Sequence, residues 1–439
     1  MITNEKIIEI LNEWNFWDKK RDIGIIRPKY LNKLIEYLKT DEIVAMGGIR
    51  RCGKSTIMLQ LIDYLINHKR IGSEQTLYVN FEDPKFFNFL NLDFLDKILE
   101  AYYEIVNHSN KKTYLFLDEV QKIKGWEHWV RAHYDKKSNI KIFVTGSSAD
   151  LMSSEFSSLL TGRHLELPVY PLCFKEYAEF NNVTANNKLE AIKKRKDLIK
   201  LSKQFIRQGG FPKIAVISDE SLKKELLTQY FNDIVVKDIG ERHKLKNIAQ
   251  LKTLALFYAN NFSSLISYNK IKKMLDIDIS LDSIERFSGY LTESYLFYLT
   301  AKFSYSLAEQ IKNNKKVYIA DNGIRDAVSF KFSNDYGKYL ENAVFLELKK
   351  EGTEIYYFEK GKEVDFLVKQ GNKICQAINV CYDLNDKLTR EREIKGLADG
   401  MDSFNLKQGL IITEKEEGEI KQNNRKIIVK PFWKWSLGI

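Results

Sequence analysis

Residues 48–55 constrain the fold of this chain more than any other part of the sequence. They read Gly-Ile-Arg-Arg-Cys-Gly-Lys-Ser, so a lysine and a hydroxyl residue directly follow the second of two spaced glycines. An apolar run precedes this segment, and residues 56–67 have the pattern of a helix. A strand, a glycine-rich loop and a helix in this order predict a parallel α/β sheet whose loop wraps around a phosphate group.

The residue types of this loop match the groups of a nucleoside triphosphate. Glycines let the backbone approach a phosphate closely, and the loop N–H groups and the helix dipole attract its charge. Lys54 is expected to bridge the β- and γ-phosphates, and the Ser55 hydroxyl is expected to bind Mg²⁺. The sequence therefore predicts ATP and Mg²⁺ as ligands of this P-loop. The predicted contact residues are Gly48, Arg50, Arg51, Cys52, Gly53, Lys54, Ser55 and Thr56.

Two adjacent acids follow the apolar residues 114–117, which read Tyr-Leu-Phe-Leu. This pattern predicts a buried strand with Asp118 and Glu119 at its carboxyl end, the edge at which parallel α/β sheets bind their ligands. Asp118 is expected to contact the cofactor and hold Mg²⁺ through water. Glu119 is expected to be the catalytic group that polarises the attacking water. A glutamate in that position favours hydrolysis over transfer to a bound acceptor.

A third apolar strand, residues 142–145, ends in Gly-Ser-Ser. A polar side chain at the tip of the strand beside the acidic one can sense the γ-phosphate and position water. Ser147 is the predicted catalytic residue there, and an ordinary polar turn is the alternative.

Arg163 follows Thr-Gly at a predicted corner of the core. An arginine displayed there could reach the γ-phosphate bound to a neighbouring subunit and stabilise the charge of the transition state. This interpretation makes Arg163 a catalytic residue and predicts a homo-oligomer. A local salt bridge is the alternative.

Periodicity and composition divide the chain into five segments. Strands alternate with helices in the second segment, the third is helical, and the fourth reads as a helix-turn-helix followed by a hairpin wing. The predicted segments are an N-terminal helical segment, 1–40, a P-loop core, 41–180, a helical region, 181–247, a winged helix, 248–330, and a last α/β segment, 331–439.

The winged helix makes DNA a possible partner. The chain has a formal net charge of +10, which favours phosphate-rich partners. Basic residues of the predicted winged helix are Lys270, Lys272, Lys273 and Arg286. Acids at 282 and 285 of the presumed recognition helix weaken the case for DNA, and a module that docks on protein is the alternative.

The sequence predicts a cytoplasmic protein without a membrane partner. None of its apolar runs approaches the ~18 residues of a membrane-spanning helix, and the N-terminus lacks a signal-peptide pattern. The four cysteines form no Cys-x-x-Cys pair, and a disulfide at Cys52 would hinder the loop.

Taken together, these motifs resemble those of prokaryotic AAA-type ATPases that carry a restriction-endonuclease-like domain of unknown function at the C-terminus. The matching segments are residues 48–56, 115–121, 144–148, 161–163, 168–177, 209–212, 316–323 and 363–366. The resemblance implies an AAA-type parallel sheet, a helical lid over residues 181–247, a winged helix and a nuclease-like α/β domain.

The last segment departs from the nuclease pattern that the resemblance implies. Metal-dependent nucleases of that fold carry an acid on the first helix, an aspartate on a strand, and an acid and a lysine on the next strand. Glu341 and Asp365 match the first two positions, but Asn379 and Cys381 stand where the other acid and the lysine belong. The sequence therefore predicts a degenerate nuclease-like domain that binds or packs and does not cut DNA.

These features predict an ATPase that acts as a switch or remodeller, on DNA or on a protein–DNA assembly. Two alternatives stay open at this point. One is an ATPase that acts on proteins without nucleic acid, and the other is an ATP-regulated nuclease.

Overall fold

The chain forms two compact units, Met1–Tyr170 and Pro171–Ile439. The computed structural model describes residues 2–109, 111–147, 160–275, 279–329, 336–422 and 425–439. The finer division into five domains stays a prediction. No helix within the described ranges is long and apolar enough to cross a membrane.

A parallel five-stranded sheet forms the centre of the first unit, with the strand order β2-β3-β4-β1-β5. Its strands are β1 (Ile43–Gly48), β2 (Thr76–Asn80), β3 (Thr113–Asp118), β4 (Ile140–Ser147) and β5 (His164–Glu166). Every residue of β1 is buried, as expected for a central strand with both faces covered. The predicted parallel sheet is confirmed, and its strand bounds differ from the predicted ones by one or two residues.

Helices and short turns surround this sheet. The helices are α1 (Asn4–Asn12), α2 (Pro28–Tyr37), α3 (Lys54–Asn67), α4 (Leu92–Ile105) and α5 (Trp126–Asp135), and the 3-10 turns are Ser73–Gln75, Pro84–Phe89 and Val120–Lys122. The side chain of Asn91 caps α4 by accepting from the N–H of Phe94. In the sheet, Phe116 of β3 and Phe143 of β4 stack with ring centroids 4.8 Å apart. This packing fixes the two strands that carry the predicted catalytic residues.

The residues after α1 cover the exposed edge of the sheet at β2. The Asn15 amide donates to the carbonyl of Tyr78 and accepts from its N–H, at 2.8 and 2.7 Å. The indole of Trp17 donates to the carbonyl of Thr76 at 2.9 Å. These side chains satisfy backbone groups that an edge strand would leave unpaired.

The second unit begins with helices. They are α6 (Phe174–Phe180), α7 (Lys188–Lys193), α8 (Arg195–Gln208), α9 (Pro212–Ala215), α10 (Glu220–Asp233) and α11 (Ile248–Asn260), with a π-helix at Ile234–Glu241. A three-stranded antiparallel sheet follows, in the order β6-β8-β7. Its strands are β6 (Ser264–Ile266), β7 (Phe297–Ala301) and β8 (Lys315–Ile319). The helices between them in the chain are α12 (Tyr268–Leu275), α13 (Leu281–Glu293) and α14 (Leu307–Lys312). The sequence analysis missed β6, which is only three residues long.

A separate six-stranded sheet completes the second unit, in the order β13-β14-β12-β11-β10-β9. Its strands are β9 (Glu354–Lys360), β10 (Lys362–Gln370), β11 (Lys373–Val380), β12 (Gln408–Thr413), β13 (Gly418–Gln422) and β14 (Arg425–Pro431). The helices of this part of the chain are α15 (Asn322–Val328) and α16 (Tyr336–Lys350) before β9, α17 (Lys387–Ser403) between β11 and β12, and α18 (Phe432–Ser436) after β14. The predicted last α/β segment therefore contains a helix, three strands, a helix and a strand in this order. The hairpin β13–β14 and α18 extend it.

A buried polar network explains two of the sequence motifs in this unit. The carboxylate of Asp321 accepts from the N–H groups of Gly210 and Gly323 at 2.6 and 2.8 Å. The amide of Asn342 donates to Asn322 at 2.9 Å. A side chain at Gly210 would collide with the carbonyl oxygen of Leu172. The Gly-Gly and Asp-Asn-Gly motifs are therefore packing elements in this structure.

Candidate functional site

The glycine-rich loop takes a conformation that only glycine allows at both of its ends. Gly48 and Gly53 have φ values of 155° and 100°. A side chain at Gly48 would also lie 2.1 Å from the carbonyl oxygen of Val169. The buried guanidinium of Arg27 donates to the carbonyl of Cys52 at 2.9 Å and so anchors the outside of the loop. The loop is thus held as a cradle at the start of α3.

Lys54 lies inside this cradle and is buried. Its ammonium donates to the carbonyl oxygens of Gly48 and Ile49, at 3.0 and 3.4 Å. It also lies 3.9 Å from a carboxylate oxygen of Glu119. The structure therefore brings together the predicted phosphate-binding lysine and the predicted water activator.

Asp118 is the centre of a hydroxyl network at the end of β3. The Tyr78 hydroxyl donates to its Oδ2 at 2.6 Å and the Thr145 hydroxyl donates to its Oδ1, while the Ser55 hydroxyl lies close enough to favour the charged carboxylate. Burial raises the pKa of Asp118, with a further contribution from the charge of Glu119, and the three hydroxyls act in the opposite direction. Three elements of the fold thus hold one buried carboxyl group beside the loop.

This arrangement fits a magnesium site. Mg²⁺ is bound by one or two carboxylates together with waters and substrate phosphates. Asp118 and Ser55 supply one carboxylate and one hydroxyl at the mouth of the loop.

Glu119 has an unusual backbone conformation, with φ 56°. Its N–H donates to Thr145 Oγ1 at 3.1 Å, and its carboxylate accepts from the side-chain amide of Gln121 at 2.6 Å. Non-glycine residues rarely adopt this region, and they do so at functional sites where the surrounding structure holds them. The conformation directs the carboxylate toward Lys54.

The remaining predicted residues of the loop lie at its rim. Arg50 pairs with Glu82 at 3.3 Å, and Arg51 is exposed with φ 71°. The side chain of Ser147 lies outside the described residues, so its catalytic role stays a prediction. Within the described part of β4, Thr145 is the side chain that contacts both predicted acids. The sequence analysis missed it, although its place beside Asp118 follows from the register of β3 and β4.

Arg163 makes a local ion pair within the first unit. Its guanidinium lies 2.9 Å from a carboxylate oxygen of Asp135, and both side chains are partly exposed to solvent. This contact corresponds to the alternative that the sequence left open. Exposed pairs of this kind contribute only ~0–1 kcal/mol, so the pair does not prevent Arg163 from exchanging partners.

The second unit contains a lysine that the sequence analysis did not place. The buried Lys316 ammonium lies 2.8 Å from Glu341, 2.5 Å from Glu363 and 3.0 Å from Asp365. Cys381 still stands at the lysine position of β11, as the sequence predicts, but a lysine from elsewhere in the chain lies beside these acids. The comparison covered only β11, whereas Lys316 reaches the acids from β8, 49 residues before Asp365.

Lys316 supplies the positive charge that these acids require. Burial raises the pKa of Glu341 to about 8, while the Lys316 ammonium acts in the opposite direction. Among the described residues, no group of three or more His, Cys, Asp and Glu side chains is arranged to hold a metal ion.

Replacing Tyr78 by Phe is expected to destabilise the fold by about 1–3 kcal/mol at neutral pH, because one oxygen of the buried Asp118 would lose its donor. Because the pKa of Asp118 is raised in the folded protein, the destabilisation should shrink as the pH falls through that pKa and Asp118 becomes neutral. Urea unfolding of wild type and variant at several pH values measures this difference. Tyr114→Phe on β3 is the matched control, since that side chain is only half-buried. Equal losses in the two variants would contradict the assignment.

Comparison with known proteins places the chain among AAA-domain proteins. Residues 40–178 match the family model of an AAA domain, and residues 199–335 and 336–435 match two domains of unknown function, DUF8612 and DUF4143. The Walker-type ATPase PABY2304 of Pyrococcus abyssi is a similar solved structure. It shares 16% identity and has a TM-score of 0.43 over 72% of this chain and 99% of its own.

Two relatives cover most of the chain. An uncharacterised protein of Haemophilus influenzae is 34% identical over 82% of this chain and 87% of its own length. The uncharacterised protein MJ1544 of Methanocaldococcus jannaschii is 36% identical over 94% of this chain and 92% of its own. The chain therefore belongs to the family of MJ1544, with a P-loop AAA domain followed by two domains of unknown function.

Proposed function

We propose that the chain binds ATP with Mg²⁺, hydrolyses it, and uses the cycle as a switch or remodeller of a macromolecular partner. The observation that carries this proposal is the 3.9 Å approach of Lys54 to Glu119 in a glycine cradle beside the buried Asp118. These three groups are a phosphate ligand, a water activator and a metal ligand, and ATP hydrolysis needs each of them.

In this proposal each side chain has a separate task. Lys54 leaves the carbonyls of Gly48 and Ile49 and binds the β- and γ-phosphates. Ser55 and Asp118 would hold Mg²⁺, which would neutralise phosphate charge when bound. Glu119 accepts a hydrogen bond from the attacking water and takes up its proton as the water oxygen bonds to the γ-phosphorus. The bond from the γ-phosphorus to the β–γ bridging oxygen breaks in the same step, and ADP leaves with that oxygen.

Lys54→Ala is expected to abolish tight ATP binding, because it removes the cation in the cradle. Glu119→Gln should bind ATP and hydrolyse it slowly, with kcat lowered by about 10²–10⁴-fold, since an amide cannot accept the proton. Fluorescent-nucleotide binding and phosphate release measure the two steps separately. Equal turnover by wild type and Glu119→Gln would exclude Glu119 as the base.

We further propose that Arg163 acts across a subunit interface of a homo-oligomer. Among the described residues, its guanidinium makes a partly exposed pair with Asp135 and a 3.4 Å contact to the Thr161 carbonyl, both of which it can exchange for a phosphate. An arginine supplied by a neighbour would stabilise charge on the γ-phosphate in the transition state.

Mixing Arg163→Ala protein with Lys54→Ala protein should restore part of the turnover that each lacks alone. One subunit then offers the arginine and the other offers an intact cradle. Arg131→Ala is the matched control, because Arg131 pairs with the same Asp135 at 3.4 Å. Turnover per subunit that stays constant on dilution to the monomer would contradict action in trans.

DNA, free or within a protein–DNA assembly, is the partner that we propose. In this reading α12 and α13 form a helix-turn-helix, and β7 and β8 form its wing. Lys270, Lys272 and Lys273 are all exposed on α12, so they can contact phosphates from one short helix. The net charge of +10 acts in the same direction.

A protein partner is the second candidate, and one observation favours it. Between β7 and β8, three large apolar side chains are exposed: Tyr305, Leu307 and Ile311, at 89%, 69% and 67%. Exposed apolar side chains close together mark surfaces that bind proteins.

A gel-shift titration across salt concentrations separates the two partners. If α12 contacts DNA, replacing its three lysines by Gln should weaken binding and lower the slope of log K against log salt by about 0.9 for each lost contact. The control replaces Lys175, Lys193 and Lys196, which are also exposed in the second unit. Equal slopes in the two triple variants, or turnover that DNA does not change, would favour a protein partner.

We propose that the last segment is a binding platform rather than an ATP-regulated nuclease. With Lys316 at 2.5–3.0 Å from all three acids, the position where their charges converge is already occupied by a cation. DNA in the same titration should therefore remain intact with Mg²⁺ or Mn²⁺, with or without ATP.

A further inference from the structure

The two carboxylate oxygens of Glu119 have different partners. Oε2 accepts a hydrogen bond from the side-chain amide of Gln121 at 2.6 Å. Oε1 is the oxygen that lies 3.9 Å from the Lys54 ammonium. One oxygen is thus held by a neutral donor, while the other faces the place where phosphate is expected to bind.

The backbone conformation of Glu119 sets the direction in which its side chain leaves the chain. The positive φ of 56° and the hydrogen bond from the Glu119 N–H to Thr145 fix where the side chain starts. They do not fix its terminal rotation, because the last torsion of a glutamate is broad. The Gln121 amide is the contact that selects one rotation of the carboxylate.

A neutral amide suits this task better than a charged group. It donates one hydrogen bond and adds no net charge, so Oε1 keeps its capacity to accept a proton. Gln121 lies in the 3-10 turn Val120–Lys122, directly after Glu119. The two side chains are therefore attached to the same short segment and move together.

We infer that Gln121 is a positioning residue for hydrolysis, which holds Oε2 of Glu119 so that Oε1 faces the attacking water. This inference rests on the proposed ATPase function. When ATP draws Lys54 away to the phosphates, Gln121 remains as the partner that keeps the carboxylate oriented.

Gln121→Met keeps the length of the side chain and removes its donor. It should lower kcat by about 10–100-fold, the range in which groups that orient a reacting residue act, and leave KM and the Kd for ATP unchanged. Gln121→Glu keeps the shape and places a like charge beside Glu119, so it should lower kcat as well. Lys122→Ala is the matched control, since Lys122 is exposed on the same turn, and it should turn over like wild type.

A double variant tests whether Gln121 acts through Glu119. In a Glu119→Gln background, Gln121→Met should cause no further loss, because the group that it orients is already gone. A role in general folding would instead give the same loss in both backgrounds. Thermal unfolding and ATP binding identify any variant that does not fold. If Gln121→Met does not fold, the same comparison is made with Gln121→Glu.

The outcomes separate this inference from the proposed function. A wild-type protein that binds ATP without hydrolysing it would overturn the proposed function. Normal turnover by Gln121→Met, with wild type active and Glu119→Gln slow, would overturn only the role of Gln121. Equal losses from Gln121→Met in both backgrounds would do the same.

Discussion

The hydroxyl network around the buried Asp118 is the interaction on which the candidate site depends. Its hydrogen-bond donors come from β2 and from the end of β4, and the Ser55 hydroxyl in the first turn of α3 lies close enough to favour the charged carboxylate. A buried carboxylate is tolerated only when its oxygens are hydrogen-bonded, so these elements have to stay in register with β3. Thr145 also accepts from the N–H of Glu119, and therefore the same network orients the next residue in the chain. The positions of the two acids beside the loop follow from this one requirement.

Much of the first unit could be predicted because its signals are local. The buried strands are apolar runs, and the loop after β1 has glycines where φ is positive. Parallel strands of one sheet end at the same edge, so the placement of Asp118 at the edge that carries the loop follows from the strand assignments. The end residues of the helices and strands were predicted less accurately than their presence. For example, α3 was predicted from residue 56 but begins at Lys54, inside the glycine-rich motif.

The remaining site residues depend on contacts between distant parts of the chain, and a single sequence does not display them. Tyr78 reads as one more apolar residue of β2, and only the register of β2 with β3 brings its hydroxyl to Asp118. Lys316 reads as the start of an apolar strand, yet it is buried among three acids. A lysine can satisfy a carboxylate from any strand within reach, so a search confined to β11 could not find it. The buried network of Asp321 likewise joins segments more than a hundred residues apart, since Asp321 and Gly210 are separated by 111 positions.

The side chains that cover β2 have a consequence for the chemistry at the far side of that strand. Asn15 holds the backbone of Tyr78 from outside the sheet, while the Tyr78 hydroxyl holds Asp118 from within it. The segment that carries Asn15 is therefore coupled, through the backbone and hydroxyl of Tyr78, to the Asp118 carboxyl group beside the glycine-rich loop. Anything that lifts this segment from the sheet, such as proteolytic trimming or a partner that binds the N-terminus, would act on the site by releasing Tyr78. A change at the start of the chain would then reduce the order of Asp118 and Glu119 and leave the conformation of the glycine-rich loop unchanged.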